Sequence, residues 1–279
     1  DGISAKKNLL GWCLAGIFFI TMQIFAGDPQ YVFFTAITAL IYAGLLMVKE
    51  KKWVTIPIGF ICIYMGAIVL SAIQLLTGFQ EAGESIRSSG LSYEFSSAFS
   101  FPPENFITML APGFFGNYMK VPYWGRWYLW EMTYFIGVTG LFLALYGAIF
   151  GEKNIRRFSV TMVIILSFLA LGAYTPIFKI LYTYIPGFNK FRGSSKFIFP
   201  ATLFLSNLAA IGFDHLLRYQ RIDRKVIMGL LIASIMIGTI GLWISYNNET
   251  STYLWQQIMN GISHSHESYL PISYFQDTN

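Results

Sequence analysis

Charged residues are scarce in this chain. Only 12% of its 279 residues are Asp, Glu, Lys or Arg, whereas a soluble domain carries about 25%. The residues Ala, Val, Ile, Leu, Met, Phe, Trp, Tyr and Cys make up 55%, and the mean hydropathy is +0.53. So little charge cannot cover the surface of a soluble domain of this length, and it indicates an integral membrane protein.

Cysteine and histidine are also rare, with two and three copies. Cys13 and Cys62 lie in apolar runs without a second ligand at metal-binding spacing, so we expect small core residues and no disulfide. His264 and His266, followed by Glu267, form only a weak metal pattern. Glycine-rich phosphate loops and serine-hydrolase elbows are absent from the sequence. We therefore predict no resident metal site.

Seven long apolar runs dominate what is present. They cover residues 9–26, 31–48, 53–77, 132–150, 158–172, 197–217 and 226–246. Most approach the about 20 residues that a membrane-crossing helix needs, and they are apolar on all sides. The sequence predicts an all-α, polytopic membrane helix bundle with about seven transmembrane helices.

The basic residues predict the orientation of this bundle. Most of them lie in the short segment before the first span and in every second connection after it. We place these segments on the inner side of the membrane by the positive-inside rule. These residues are Lys6, Lys7, Lys49, Lys51, Lys52, Lys153, Arg156, Arg157, Arg218, Arg221, Arg224 and Lys225. Topology therefore accounts for the net charge of +5 without a nucleic-acid partner. We expect a transmembrane domain over 1–246 and an outer tail, or the start of a further domain, over 247–279.

Three outer segments are the predicted location of function, because the inner loops are too short to form a site. They are the turn 27–30, the loop 78–131 and the segment 174–196. The loop forms a predicted outer subdomain, and its Ser-rich piece 85–100 is typical of a mobile loop.

Asp28 lies in the first of these segments, between Gly27 and Pro29. One interpretation is a helical hairpin turn in which Asp28 caps the following helix. The other is an acid held at the membrane surface as a base, metal ligand or acceptor of a sugar hydroxyl.

The loop 78–131 ends in a cluster of aromatic residues around Arg126. They are Tyr118, Tyr123, Trp124, Trp127, Tyr128 and Trp130. Such a cluster is typical of an interfacial belt or an amphipathic helix on the bilayer. It also fits a platform that contacts sugar or lipid, with Arg126 binding a phosphate and Glu104 or Glu131 as candidate acids.

The third segment carries Lys190, Arg192 and Lys196 on the side where topology disfavours positive charge. Charge placed there indicates an anionic partner. Lipid headgroups are one candidate, and a lipid-linked phosphate is the other, since Arg binds phosphate in bidentate geometry.

Stretches 26–30, 103–125 and 171–192, with the Gly-Phe-Asp at 212–214, resemble the bacterial YfhO-like membrane protein family in order and spacing. The resemblance covers most of the chain. It implies a GT-C-type glycosyltransferase in the bacterial cytoplasmic membrane, which takes a sugar from a polyprenyl-phosphate carrier and transfers it to a cell-envelope acceptor on the outer face. It also implies contact with membrane lipids and membrane protein partners, and it leaves a divalent cation as an open cofactor.

The resemblance assigns Asp28 to catalysis, through positioning of the acceptor or a metal. Gln30 and Arg126 become candidate substrate-binding residues, and Lys190, Arg192 and Lys196 candidate phosphate-binding residues. The family usually has His at the position of Asp28. Its key first-loop acid is expected before Asp1, together with a pair of helices, so we expect an internal fragment of a longer chain.

Two other functions compete with this one. A non-catalytic membrane scaffold or complex subunit would keep the fold without its chemistry. A transporter is disfavoured because the spans lack acids near their middle.

Overall fold

The computed structural model describes residues 9–84, 91–116 and 123–219, with the single positions 228, 229, 235 and 239. All regular structure among these residues is helical, which confirms the all-α class. The chain divides into two compact units. Unit 1 contains Asp1–Pro103 and Phe158–Phe204, and unit 2 contains Glu104–Arg157 and Leu205–Asn279.

Unit 1 is built mainly from long helices. Its elements are α1 (Leu9–Phe25), α2 (Pro29–Glu50), α3 (Thr55–Leu70), α4 (Ala72–Glu84), α5 (Tyr93–Ser97), most of α7 (Lys153–Ala170), α8 (Pro176–Tyr184) and the start of α9 (Ile198–Tyr219). Short 3-10 turns at Gly172–Tyr174, Phe188–Lys190 and Ser194–Phe197 connect the last of these. Unit 2 contains α6 (Val138–Phe150), the rest of α9, and 3-10 turns that include Leu129–Glu131.

Two helical stretches among the described residues are long and apolar enough to cross a membrane: Pro29–Glu50 and Ser194–Arg218. Helices α3 and α4 together supply a third if the bent pair counts as one span. Helices α1 and α6 are apolar but shorter, with 17 and 13 residues. The run 226–246 lies almost wholly outside the described residues, so the count of seven spans stays a prediction.

The run 53–77 is not the single straight helix that its hydropathy predicts. The helix bends by 76° between α3 and α4. At the bend, both the backbone N–H and the hydroxyl of Ser71 donate to the carbonyl oxygen of Ala67, at 2.9 and 2.7 Å. A serine hydroxyl bonded four residues back favours a bend, which a hydropathy pattern does not register.

Large apolar side chains on these helices are exposed. Phe19 of α1 and Val69 of α3 are each 68% exposed, and Leu203 of α9 is 67% exposed. An apolar surface of this extent needs an apolar solvent. The apolar helices therefore indicate a membrane protein.

Glycines bring helices close together in both units. In unit 1, a Cβ on Gly16 of α1 would come within 2.8 Å of the Ile63 side chain of α3, and a Cβ on Gly66 within 2.6 Å of Ile17. In unit 2, a Cβ on Gly147 of α6 would collide with the backbone oxygen of Leu208 in α9. Small residues at such crossings let two membrane helices approach closely.

Candidate functional site

The Asp28 turn joins α1 to α2. Gly27 adopts φ +83°, a left-handed conformation suited to glycine, and reverses the chain. Asp28 is exposed, and its Oδ1 accepts hydrogen bonds from the backbone N–H groups of Gln30 and Tyr31, at 2.9 and 3.4 Å. Pro29 occupies the first turn of the helix, where its missing N–H costs nothing. The capping interpretation of Asp28 is thereby confirmed. A catalytic role for its carboxylate stays a prediction.

The basic segment lies directly before α9. The guanidinium carbon of Arg192 is 4.9 Å from the ring centroid of Phe95 and 4.8 Å from that of Phe99. Aromatic faces attract a cation, and here two of them hold the same one. Arg192 is thus fixed in position by contacts that leave its charge unneutralised.

Lys196 is nearly buried, with 8% of its surface exposed. Its Nζ lies 5.4 Å from the ring centroid of Tyr31, in the first turn of α2. Burial of a lysine side chain at this depth is costly unless other groups compensate for the loss of water. Lys190, by contrast, is exposed at the end of its 3-10 turn.

The backbone of the basic segment is tied to residues 91–100. Gly193 donates its N–H to Ala98 O at 3.0 Å, and Ser195 donates to Phe99 O at 3.2 Å. Gly193 itself has φ +82°, which turns the chain between the two bonds. These contacts hold Arg192 and Lys196 at fixed positions. They also show that the predicted mobile loop is wrong for its described part, where Ser96 and Ser100 are buried.

A group of hydroxyls reinforces this contact. Ser194 Oγ lies 3.3 Å from Ser100 Oγ and 3.2 Å from the carbonyl oxygen of Ala170. Ser100 Oγ also accepts the N–H of Ala173 at 2.9 Å. Gly172 lies against both hydroxyls, and a Cβ there would collide with them. This cluster is structural, since its hydroxyls bond one another and the backbone.

Aromatic contacts attach the start of α2 to the same segment. The rings of Phe33 and Phe191 are 4.8 Å apart, as are those of Phe34 and Phe197. Unit 1 therefore brings together the first turn of α2, which Asp28 caps, and the segment that carries the three cations. We call this region the cation patch, defined by Asp28, Gln30, Lys190, Arg192 and Lys196. Gln30 is half-buried within it.

Arg126 belongs to unit 2, whereas the residues of the cation patch belong to unit 1. Its Nε lies 3.1 Å from Glu104 Oε1, with side chains 20% and 35% exposed. The backbone around it is also held, since Tyr123 donates its hydroxyl to Arg126 O at 2.9 Å. Neighbouring Asn105 is buried and donates to Met132 O at 2.9 Å. An arginine paired in this way supports the local fold, and its role in substrate binding stays a prediction.

The predicted aromatic platform divides into two parts. Tyr123 and Trp124 are 4% and 3% exposed and pack with Phe115 in a hydrophobic core, so the surface platform is wrong for them. The backbone N–H of Trp124 also donates to the carbonyl oxygen of Phe115, at 2.9 Å. Tyr128 and Trp130 stack at 4.8 Å with planes 7° apart, and Trp130 is 66% exposed. Trp127 is half-buried, as Tyr128 is, so these three described residues reach the surface to different extents. Tyr118 lies outside the described residues.

Some contacts of the site escape sequence reasoning. Phe95 and Phe99 hold Arg192, Tyr31 contacts Lys196, and Glu104 pairs with Arg126. All of these partners but Tyr31 lie in the loop 78–131. Its richness in aromatic and acidic residues was the only signal, and that signal does not say which residue meets which.

Clusters of metal-binding side chains are missing from the part of the chain that the structure describes. No cluster of three or more His, Cys, Asp or Glu side chains is found there. The histidines at 264 and 266 lie outside the described residues.

No protein-family model, no curated protein and no solved structure matches this chain.

Proposed function

We propose that the protein is a YfhO-like, GT-C-type membrane glycosyltransferase. It moves a sugar from a polyprenyl-phosphate carrier to a cell-envelope acceptor on the outer face of the bacterial cytoplasmic membrane. The proposed protein is a bundle of about seven transmembrane helices with its N-terminus on the inner side of the membrane. The proposal rests on the sequence resemblance and on the cation patch.

The strongest support for this proposal is the contact between Lys196 and Tyr31. Lys196 Nζ lies 5.4 Å from the ring centroid of Tyr31. This contact joins the turn that carries Asp28 to the segment that carries Arg192. Transfer from a lipid phosphate needs cations where the leaving phosphate gains charge, and a group that positions the attacking hydroxyl. The cation patch contains residues of both kinds.

Arg192 is the residue best suited to the leaving phosphate. Its guanidinium is oriented in advance by Phe95 and Phe99, so little reorganisation accompanies the development of charge. Its planar N–H groups match a phosphate in bidentate geometry. Lys196 adds positive charge from a poorly hydrated position, where electrostatic attraction is stronger than in water.

Asp28 has a more limited role in this scheme. Its Oδ1 is committed to two backbone N–H groups of α2. The exposed carboxylate still offers Oδ2 to an acceptor hydroxyl or to a cation. We therefore assign it positioning of the acceptor, with Gln30 beside it as a substrate-binding residue.

The test is transfer of radiolabelled hexose from a panel of polyprenyl-phosphate hexoses, by membranes containing wild-type protein, Arg192→Gln or Lys179→Gln. Lys179 is an exposed outer cation on α8 and serves as the matched control. We expect Arg192→Gln to lose most transfer and Lys179→Gln to keep it. Full transfer by Arg192→Gln would remove the phosphate assignment.

A non-catalytic scaffold is the second candidate. It is favoured by the engagement of Asp28 as a helix cap and of Arg126 in an ion pair, because both then have structural duties. In that case the wild-type protein would transfer no hexose from any donor of the panel, while its removal from the membrane would lower the activity of another transferase.

A further inference from the structure

Helix α4 leaves α3 at a steep angle. The two helices are separated by Ser71 alone and bent by 76°. A membrane-spanning helix is tilted by about 20° from the bilayer normal on average. If α3 crosses the bilayer in this way, α4 runs close to the membrane plane. With 13 residues it is about 20 Å long, which is too short to cross on its own.

The helix has one apolar face and one polar face. Leu76 and Phe79 lie three residues apart on the apolar face and are 67% and 72% exposed, while Ile73, which is 77% exposed, lies at its edge. Thr77 and Glu81, four residues apart, lie on the opposite face. Such a division is typical of helices that lie in a membrane interface.

The surroundings of α4 identify what covers its apolar face. Val69 and Leu70, at the end of α3, are 68% and 61% exposed, so the apolar surface continues across the bend. A charge on that face would oppose burial in lipid, and none of its described side chains is charged. On the polar side, Gln74 Nε2 would be 3.9 Å from a Cβ at Gly27, which places this side beside the Asp28 turn.

We infer that α4 is an interfacial helix that lies on the outer leaflet of the bilayer. Its apolar side chains enter the boundary between headgroups and acyl chains, and its polar side borders the Asp28 turn. The partner is the lipid surface itself, because the apolar face of α4 is continuous with the lipid-facing surface of the preceding helix. This inference depends on the membrane location and is independent of the proposed transferase activity.

The test is a spin-label scan of full-length protein in liposomes. Labels are attached to Ile73→Cys, Leu76→Cys, Thr77→Cys, Phe79→Cys and Glu81→Cys, each in a Cys13→Ala/Cys62→Ala background. Leu40→Cys, on the exposed face of α2, is the reference for a label within the acyl region. Every variant is first required to match the background protein in helical circular dichroism and size-exclusion elution.

The expected result is a helical period in accessibility. The ratio of oxygen to nickel-chelate accessibility is expected to be high at 76 and 79, intermediate at 73, low at 77 and 81, and lower at every α4 position than at 40. Equal access of the nickel chelate to all five positions would overturn the inference in favour of a helix in water. Immobile labels at 76 and 79 that neither reagent reaches would overturn it in favour of a protein partner. A ratio equal to that at 40 would overturn it in favour of a re-entrant helix.

Discussion

The two units hold their arginines in different ways. In unit 1, Arg192 lies between the rings of Phe95 and Phe99, whereas in unit 2, Arg126 lies 3.1 Å from a carboxylate oxygen of Glu104. Aromatic faces orient a cation without cancelling its charge. A carboxylate orients it and neutralises it. The arginine in unit 1 is therefore prepared to meet an anion, and the one in unit 2 already has its anion.

The glycine contacts of the two units differ as well. Gly66 in unit 1 approaches the end of a flexible isoleucine side chain, but Gly147 in unit 2 approaches the backbone of α9. A side chain can move to another rotamer, while a helix backbone moves only as a whole. Unit 2 should accordingly tolerate less change at its helix crossing than unit 1.

The comparison between the two arginines is tested most strongly by the rate of sugar transfer in Arg192→Gln. Loss of one donor that stabilises developing charge costs about 10²–10³-fold in rate. We expect a loss of that order, with little change in thermal unfolding, because the two rings can still pack on the glutamine. Arg192→Lys keeps the charge but not the bidentate geometry, so its transfer rate should lie between those of the wild type and Arg192→Gln. A transfer rate equal to wild type in both variants would contradict the comparison. Arg192, held by two aromatic rings, would then be no more important for transfer than Arg126, held by a carboxylate.

The second effect is on the stability of the two glycine contacts. Gly147→Ala introduces a methyl group against the backbone of α9, and overpacking of this kind costs about 1–3 kcal/mol or more. Gly66→Ala should cost less, since Ile17 can adopt another rotamer. Gly44→Ala in α2 meets nothing within 4 Å and serves as the control. Unfolding in mixed detergent micelles measures all three. Equal losses at 147 and 66 would contradict the difference between the units.

A third, smaller effect concerns the ion pair of unit 2. Arg126→Gln leaves the partly buried carboxylate of Glu104 without its cation, at a cost of about 1–2 kcal/mol, between the ranges for exposed and buried pairs. The double variant Arg126→Gln/Glu104→Gln should recover part of this loss. We expect transfer per folded molecule to stay near wild type in both. A selective loss of transfer in Arg126→Gln, with stability unchanged, would instead restore Arg126 to substrate binding.

The smallest effect separates the two roles of Asp28. Asp28→Ala removes an N-cap and should destabilise the protein by about 1 kcal/mol. Asp28→Asn keeps the capping oxygen and removes the charge, so it should be near wild type in stability. Reduced transfer by Asp28→Asn would show that the carboxylate acts on substrate. Unchanged transfer would reduce Asp28 to a turn residue.

Local features of this molecule follow from local sequence. The cap at Asp28 is readable from Gly27, Pro29 and the apolar run that follows, because capping involves only neighbouring backbone groups. The helices α2 and α9 follow from uninterrupted apolar runs for the same reason. The type and approximate extent of these elements were thus predictable.

Long-range contacts were not predictable in the same way. Nothing near Arg192 in the sequence indicates that Phe95 and Phe99 hold it, and nothing near Arg126 selects Glu104. Trp124 is of a residue type common at membrane interfaces, but it is buried against Phe115. Such pairings depend on the packing of distant segments, which residue type and spacing do not determine.

The bend at Ser71 also has a consequence for the thickness of the surrounding membrane. Between its ends, α3 has 16 residues, or about 24 Å of helix, against about 30 Å of hydrocarbon in a typical bilayer. A span this short is accommodated when the lipid around it thins, at fractions of a kcal/mol per Å. If α3 crosses the bilayer alone, as inferred above, the bilayer next to the Asp28 turn is thinner than elsewhere, and lipid phosphates there lie deeper than in the bulk leaflet. Acyl-chain length would then be a physical determinant of how readily a lipid-borne phosphate reaches this face of the protein.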